Sequence, residues 1–199
     1  MSTTKTSLRA LVFFCVLALL FPASRSLQSS VRLSAPERGK APILLAQNTY
    51  LANVHVDRTN KFSIRPPTQW WKSTRSRKYA VKFSSRNYKA FIIVDVIKTG
   101  EEVEIDSDFI AFIQKKNKEI AERVPSFKVR DNRSTKVNGQ DAYRTNATFR
   151  AGKNKAVMKI YYVPGKTRLY MITTVTPEFT NQQWLPYLRA SVNTFKVLE

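Results

Sequence analysis

Between Phe127 and Val175 the chain alternates apolar and polar side chains and breaks that alternation with turn residues at regular intervals. Asn138-Gly139 is the preferred two-residue hairpin turn, because both residues tolerate positive φ. After it, Tyr143, Thr145, Ala147 and Phe149 recur at every second position of Ala142–Arg150. Gly152-Lys153-Asn154 predicts a second turn and Pro164-Gly165-Lys166 a third, with Val157–Val163 between them and Leu169–Val175 after them. Period-two alternation puts one face of each segment toward a core. Segments joined by such short turns pair with their sequence neighbours, so this half of the chain reads as an antiparallel meander.

The preceding segment supplies more strands and a helix. Val54, Val56 and then Phe62-Ser63-Ile64 read as short strands, the second stopped by Pro66-Pro67. Tyr79, Val81 and Phe83 alternate with Ala80 and Lys82, which predicts that Lys78 and Lys82 face away from the core. Phe91–Ile97 is almost continuously apolar and β-branched, as suits a central strand covered on both faces. An acidic stretch, Glu101–Asp108, leads into a helix that Asp106 or Ser107 can cap. Its apolar face holds Phe109, Ile113, Ile120 and Val124, with Phe112 and Ala121 beside them, opposite Lys115, Lys116 and Lys118; Pro125 marks the stop. Thr176-Pro177-Glu178 predicts a second helix start with proline at the first position. Trp184, Leu188 and Val192 then follow at spacing four, with Pro186 expected to kink or restart the helix. Strands, a helix, a meander and a closing helix describe an α+β domain over residues 50–199.

Four short pieces in that order resemble the PsbP family, the extrinsic lumenal subunits of photosystem II and their bacterial relatives. They are Phe62-Ser63-Ile64 with Pro67 and Trp70, the strand Phe91–Ile97 with its acidic loop and helix, Val137-Asn138-Gly139-Gln140-Asp141-Ala142-Tyr143, and Tyr170-Met171-Ile172-Thr173 ahead of a helix ending in Asn193-Thr194-Phe195. The resemblance spans residues 60–199. It implies an α/β/α sandwich around a twisted antiparallel sheet flanked by helices, and a non-enzymatic role. Photosynthetic members dock on a lumenal membrane complex and support its calcium and chloride requirement. This chain differs from them in a plain secretory-type leader and in a much higher positive charge, and no functional residue of the family carries over to it.

The leader is read from Ala10–Phe21, an unbroken apolar run preceded by Lys5 and Arg9, with no acid before Glu37. A basic start and an apolar run of roughly 7–15 residues followed by small side chains make a signal peptide. A spanning helix needs about 20 apolar residues. Ser24-Arg25-Ser26 predicts cleavage before Leu27, leaving 27–49 as a flexible tether rich in Ser, Pro and Gly. The remaining rivals are an uncleaved anchor and an organellar presequence, the latter directing the chain to a thylakoid lumen. Cleavage removes Cys15, the only cysteine, so the mature chain would hold no disulfide. About 150 residues can bury a sufficient core without one.

Charge bounds the partners. Removing residues 1–26 takes away Lys5, Arg9 and Arg25 and no acid, lowering the net charge from +20 to +17. Such a charge favours polyanions and anionic surfaces but says nothing about fold. It is densest at Arg65, Lys72, Arg75, Arg77, Lys78, Lys82, Arg86 and Lys89, interleaved with Trp70, Trp71, Tyr79 and Tyr88 and without one acid. Aromatics among cations stack nucleic-acid bases or anchor a protein at a lipid headgroup layer. The plainer explanation is a solvated sheet edge, where lysine blocks unwanted pairing.

Little in the sequence points to catalysis. His55 is the only histidine and has no neighbouring nucleophile motif, so an ordinary strand histidine is expected. Glu101, Glu102, Glu104 and Asp106 are the densest carboxylates; a calcium loop is conceivable, but the spacing lacks the glycine of an EF-hand, and helix capping explains the same acids. Asn132-Arg133-Ser134 and Asn146-Ala147-Thr148 match the glycosylation triplet. The expectation is an exported, non-catalytic binding protein without a cofactor, docking through a basic face on an anionic membrane surface or an acidic membrane-associated partner. Its rivals are a photosystem II extrinsic subunit, a polyanion or nucleic-acid binder, and a small-ligand pocket protein.

Overall fold

Ten strands and two helices follow one another in the computed structural model, which describes residues 50–76, 79–86 and 90–198. The leader, its cleavage point, Cys15 and the tether lie outside the described residues, as do Arg77, Lys78 and Lys89. In chain order the elements are β1 (His55–Asp57), β2 (Phe62–Ile64), β3 (Trp71–Ser76), β4 (Tyr79–Ser84), β5 (Phe91–Lys98) and α1 (Ser107–Arg123). There follow β6 (Lys128–Val137), β7 (Gln140–Ala151), β8 (Asn154–Pro164), β9 (Arg168–Pro177), α2 (Asn181–Val192) and β10 (Lys196–Val197).

The meander forms as the turns require. β6, β7, β8 and β9 pair antiparallel in sequence order, and Asn138 and Gly139 take φ of 49° and 82° in the first hairpin. β9 then pairs with β5, closing a seven-stranded antiparallel sheet of order β3-β4-β5-β9-β8-β7-β6. α1 must therefore carry the chain from β5, inside the sheet, to β6 at its far edge. The Asp106 carboxylate accepts from Phe109 N at 2.8 Å, satisfying one of the free donors at the start of that helix. A smaller sheet of order β1-β2-β10 joins the two ends of the domain.

Both faces of the large sheet are covered. Under α1, Phe109, Ile113 and Ile120 pack on Tyr143, Ile160, Tyr162 and Met171. On the opposite face, Leu188 and Val192 of α2 share a core with Phe62, Ile64 and Phe195 of the small sheet and its flank, and with Val81, Phe83, Ile92 and Val94. The result is an α+β sandwich with a helix on each side of an antiparallel sheet. Ser191 Oγ donates to Arg65 O at 2.6 Å, and Thr194 Oγ1 accepts from Arg65 N at 2.8 Å, so the end of α2 is tied to the end of β2.

Several expectations need correction. Lys82 does not face solvent: the face opposite Val81 and Phe83 is covered too, and Lys82 is 9% exposed. Ala121 is exposed rather than beside the core. Pro177 ends β9, and a single 3-10 turn, Glu178–Thr180, separates it from α2. The helix continues through Pro186, which lies on the solvent side with Gln182, so the carbonyl that loses its N–H partner can be hydrated. Both glycosylation triplets fall inside paired strands, with Asn132 and Asn146 half-buried. Among the described residues no helix is long and apolar enough to cross a membrane.

Candidate functional site

The basic and aromatic segment from Arg65 to Lys89 divides into interior and exterior parts. Arg65 is used internally: its Nε donates to Ala52 O at 3.0 Å and its Nη2 to Leu51 O at 3.5 Å, holding the entering chain against β2. Trp70 packs edge-on to Trp184 of α2, with ring centroids 5.7 Å apart. Lys82 Nζ lies over the Phe91 ring, 4.2 Å from its centroid, and burial pushes the ammonium below its ordinary pKa. Burial weakens hydration of that cation, and the ring face compensates in part.

Trp71, Lys72 and Arg86 are left on the surface at the β3–β4 end of the sheet. Trp71 is 58% exposed. It sits opposite Ser84 on the edge strand, while Lys72 sits opposite Phe83 and projects to the other face. Arg75 belongs to the same edge strand.

Lys72 approaches His55, whose ring meets Phe62 and Phe83 edge-on with centroids 6.0 and 5.7 Å away. Burial, then the charge of Lys72, lowers the imidazole pKa, and Asp57 opposes them. His55 also borders an open pocket with Val56, Asp57, Arg58, Ala80 and Val81. Asp57 is occupied by Asn60, accepting from its N at 2.9 Å and from its Nδ2 at 2.8 Å. No nucleophile–base pair forms there.

The acidic loop does not converge on a point. Glu101, Glu102 and Glu104 are exposed, and Asp106 is taken by the helix cap. Among the described residues no three potential ligands from His, Cys, Asp and Glu gather closely enough to hold a metal ion.

The structure reveals a second basic cluster at the opposite end of the sheet. Arg133, Arg144 and Lys159 come from β6, β7 and β8, and Arg189 from α2. Lys159, Tyr161 and Arg189 line a narrow groove between α2 and the sheet. Arg144 Nη2 reaches Asp131 at 3.2 and 3.4 Å. Burial and then the repulsion of Arg144 and Arg189 hold the Lys159 ammonium below its ordinary pKa. The four cations are dispersed over 57 positions of sequence, each beside unremarkable neighbours. Strand register and the placement of α2 bring them together.

These layers define a PsbP-like α+β sandwich. The chain is similar to cyanobacterial PsbP (CyanoP) from Synechocystis, with a TM-score of 0.57 and 13% identity over 81% of this chain and 98% of that one. It is also similar to LpqN, a Mycobacterium tuberculosis protein involved in cell envelope biogenesis, with a TM-score of 0.52 and 13% identity over 69% of this chain and 83% of that one. No family model matches the sequence, and no curated protein does. The likeness is one of fold.

Proposed function

We propose that this chain is an exported, non-catalytic accessory protein that docks through the β3–β4 end of its sheet onto an anionic membrane surface, without a resident cofactor. The observation that carries the reading is the exposed Trp71 on the edge strand β3, with exposed Lys72 on the other side of the same strand and exposed Arg86 just after β4, in a protein whose charge after loss of the leader is +17. An indole with one apolar side and one N–H suits the headgroup layer. Each cation held near an anionic surface contributes about 1 kcal/mol, an attraction that decays within a Debye length of about 8 Å at physiological salt. The PsbP-like fold, which the chain shares with CyanoP and with LpqN, supports an accessory role.

Sedimentation with vesicles tests the reading. The protein is expected to bind vesicles rich in phosphatidylglycerol, to ignore phosphatidylcholine, and to be released by about 0.5 M salt, where the Debye length falls to roughly 4 Å. Trp71→Ser combined with Lys72→Ala is expected to weaken binding by about tenfold. Binding that is equal on neutral vesicles, or unchanged by salt, overturns it; capture only by an acidic protein would replace the membrane with that partner.

A further inference from the structure

The α2 side of the sheet is covered only in part, and the uncovered part is basic. One cross-strand row there runs Arg133, Arg144, Tyr161 and Ile172, and the next runs Asp131, Asn146, Lys159 and Thr174. Two rows beyond, Arg150 sits opposite Lys155. Arg133 against Arg144 and Arg150 against Lys155 are like charges directly opposite each other in paired strands, which destabilises a sheet. On the α1 side the same strands present Tyr143, Ala147, Phe149, Met158 and Ile160, all buried. On the α2 side Arg133 and Arg150 are exposed, and Asn146, Lys159 and Tyr161 are only partly buried.

Neutralisation of these cations is incomplete. Arg144 Nη2 reaches Asp131 at 3.2 Å, and Lys155 Nζ stands 3.9 Å from Glu178. Among the described residues Arg133, Arg150 and Arg189 form no ion pair. The acids are concentrated on the other side of the sheet: residues 101–122, which lead into and form α1, hold seven of the chain's 14, whereas α2 holds none. Phe179 completes the surface. It lies in the 3-10 turn between β9 and α2, next to Glu178, and is 71% exposed. Arginine and aromatic side chains are enriched at protein–protein interfaces, where they act as anchors, and lysine is depleted.

We propose that the uncovered part of the sheet, β6–β8 on the α2 side, binds an acidic patch of a partner protein, with Arg133, Arg150, Lys155 and Arg189 meeting its carboxylates and Phe179 entering its apolar part. A guanidinium fork matches a carboxylate with two parallel hydrogen bonds. Duplex nucleic acid is read by an element that enters a groove, and a flat sheet face offers none. Single strands stack on exposed rings, and Tyr161 is partly buried among the cations. A second copy would bring +17 against +17 after loss of the leader. A bilayer engaging Trp71 would not reach this surface. The register of Trp71 with Ser84 and Phe91 puts it on the α1 side, and β3 lies six strand spacings from β6, about 29 Å. That distance exceeds the Debye length of about 8 Å, so the two surfaces act independently. The uncovered part spans three strands and about eight residues, roughly 360 Å². This is under half of the roughly 800 Å² that each partner gives to a stable complex, so the contact is weak and sensitive to salt.

Fluorescence anisotropy of labelled oligoglutamate, a Glu-Glu-Leu repeat peptide and oligothymidylate, all of equal charge, titrated with the full chain, tests the surface. Both peptides are expected to bind, the leucine-containing one more tightly, and both to dissociate as salt is raised. Arg133→Ser combined with Arg150→Ser is expected to weaken them by about tenfold, the upper end for two exposed ion pairs. Lys115→Ser combined with Lys118→Ser removes the same charge from exposed positions of α1 and is expected to change affinity by less than about twofold. Phe179→Ser should erase the preference for the leucine-containing peptide and leave oligoglutamate binding unchanged. The double arginine variant should also keep or raise Tm, because repulsion is relieved, whereas a purely structural role would lower it. Trp71→Ser is expected to leave peptide binding intact even if it abolishes vesicle binding. Equal losses in the two double variants, or no preference for the leucine-containing peptide, overturns the proposal. So does tighter binding of oligothymidylate, which would assign the surface to nucleic acid, or an oligomer of the chain alone that the arginine substitutions dissolve, which would assign it to a second copy.

Discussion

The two sides of β8 show how cover dictates chemistry along one strand. Toward α1, Ala156, Met158, Ile160 and Tyr162 are all buried. Toward α2, Val163 is buried, but Val157, Lys159 and Tyr161 are only half-buried. The helices differ in reach: α1 has 17 residues and α2 has 12, a difference of roughly 8 Å at about 1.5 Å per residue. The small sheet supplies the rest of the cover on the α2 side, but at the β4–β5–β9 end, where Phe62, Ile64 and Phe195 meet Val81, Phe83, Ile92 and Ile172. That core reaches β6 and β7 only near their hairpin, at Val137 and Ala142; farther along, the cover thins and the strands carry Arg133, Arg144 and Lys159. The basic surface is thus placed where the second layer stops.

Removing cover is the strongest way to break this contrast. Phe62 is fully buried, stacked on Phe195 at 5.7 Å and edge-on to Tyr170 at 6.2 Å. Phe62→Ala is expected to lower unfolding stability by about 4 kcal/mol in a denaturant titration, because transfer and cavity terms add and both flanking rings lose contacts. A loss under about 1 kcal/mol would mean that the small sheet is not integral to the α2-side core.

The α1 side offers a milder perturbation. Asp106→Ala removes the side-chain cap while leaving every core contact of α1 in place, and is expected to reduce stability by about 1 kcal/mol, with faster amide exchange in the first turn. Asp106→Asn should restore most of the loss, since asparagine caps comparably. Failure of that rescue would point to the charge rather than the hydrogen bond.

Local patterns carried much of this architecture. The hairpin turn at Asn138-Gly139, the alternation in β7 and the continuous apolar run of β5 each state their own environment, and β5 is covered on both faces as its composition requires. Lys82 was misread because alternation reports that two faces differ, not that one of them is wet; its aliphatic stem fits under cover with the ammonium over Phe91. β3 was missed because Trp71-Lys72-Ser73-Thr74-Arg75-Ser76 has no apolar period, as befits an edge strand. Of the basic segment, Arg65 and Trp70 proved internal, which only the returning chain end could reveal: their partners sit at 51–52, 184 and 194. Arg133, Arg144, Lys159 and Arg189 converge through strand register and helix placement, information spread over four elements and absent from any one.

The smallest expected effect concerns His55, at the covered end of the α2 side. Its ring lies between Phe62 and Phe83, and its Nε2 is buried without a hydrogen-bond partner. Burial first, and Lys72 second, depress its pKa from the ordinary 6.5, against the weaker pull of Asp57. An imidazole that protonates less readily folded than unfolded contributes stability that is fully present above pH 6.5 and is lost as pH falls through the folded pKa. The comparison is between wild type and His55→Gln over pH 7.5 to 5, in which the acids common to both cancel, and the variant is expected to lose less stability. Because this is the only histidine, a single imidazole resonance follows the titration directly by NMR. Lys72→Ala should move its midpoint upward without reaching the unfolded value, since burial remains. A midpoint at or above 6.5 in the wild-type protein would show that the ring is hydrated, and that the cover furnished by β1 and β2 opens in solution.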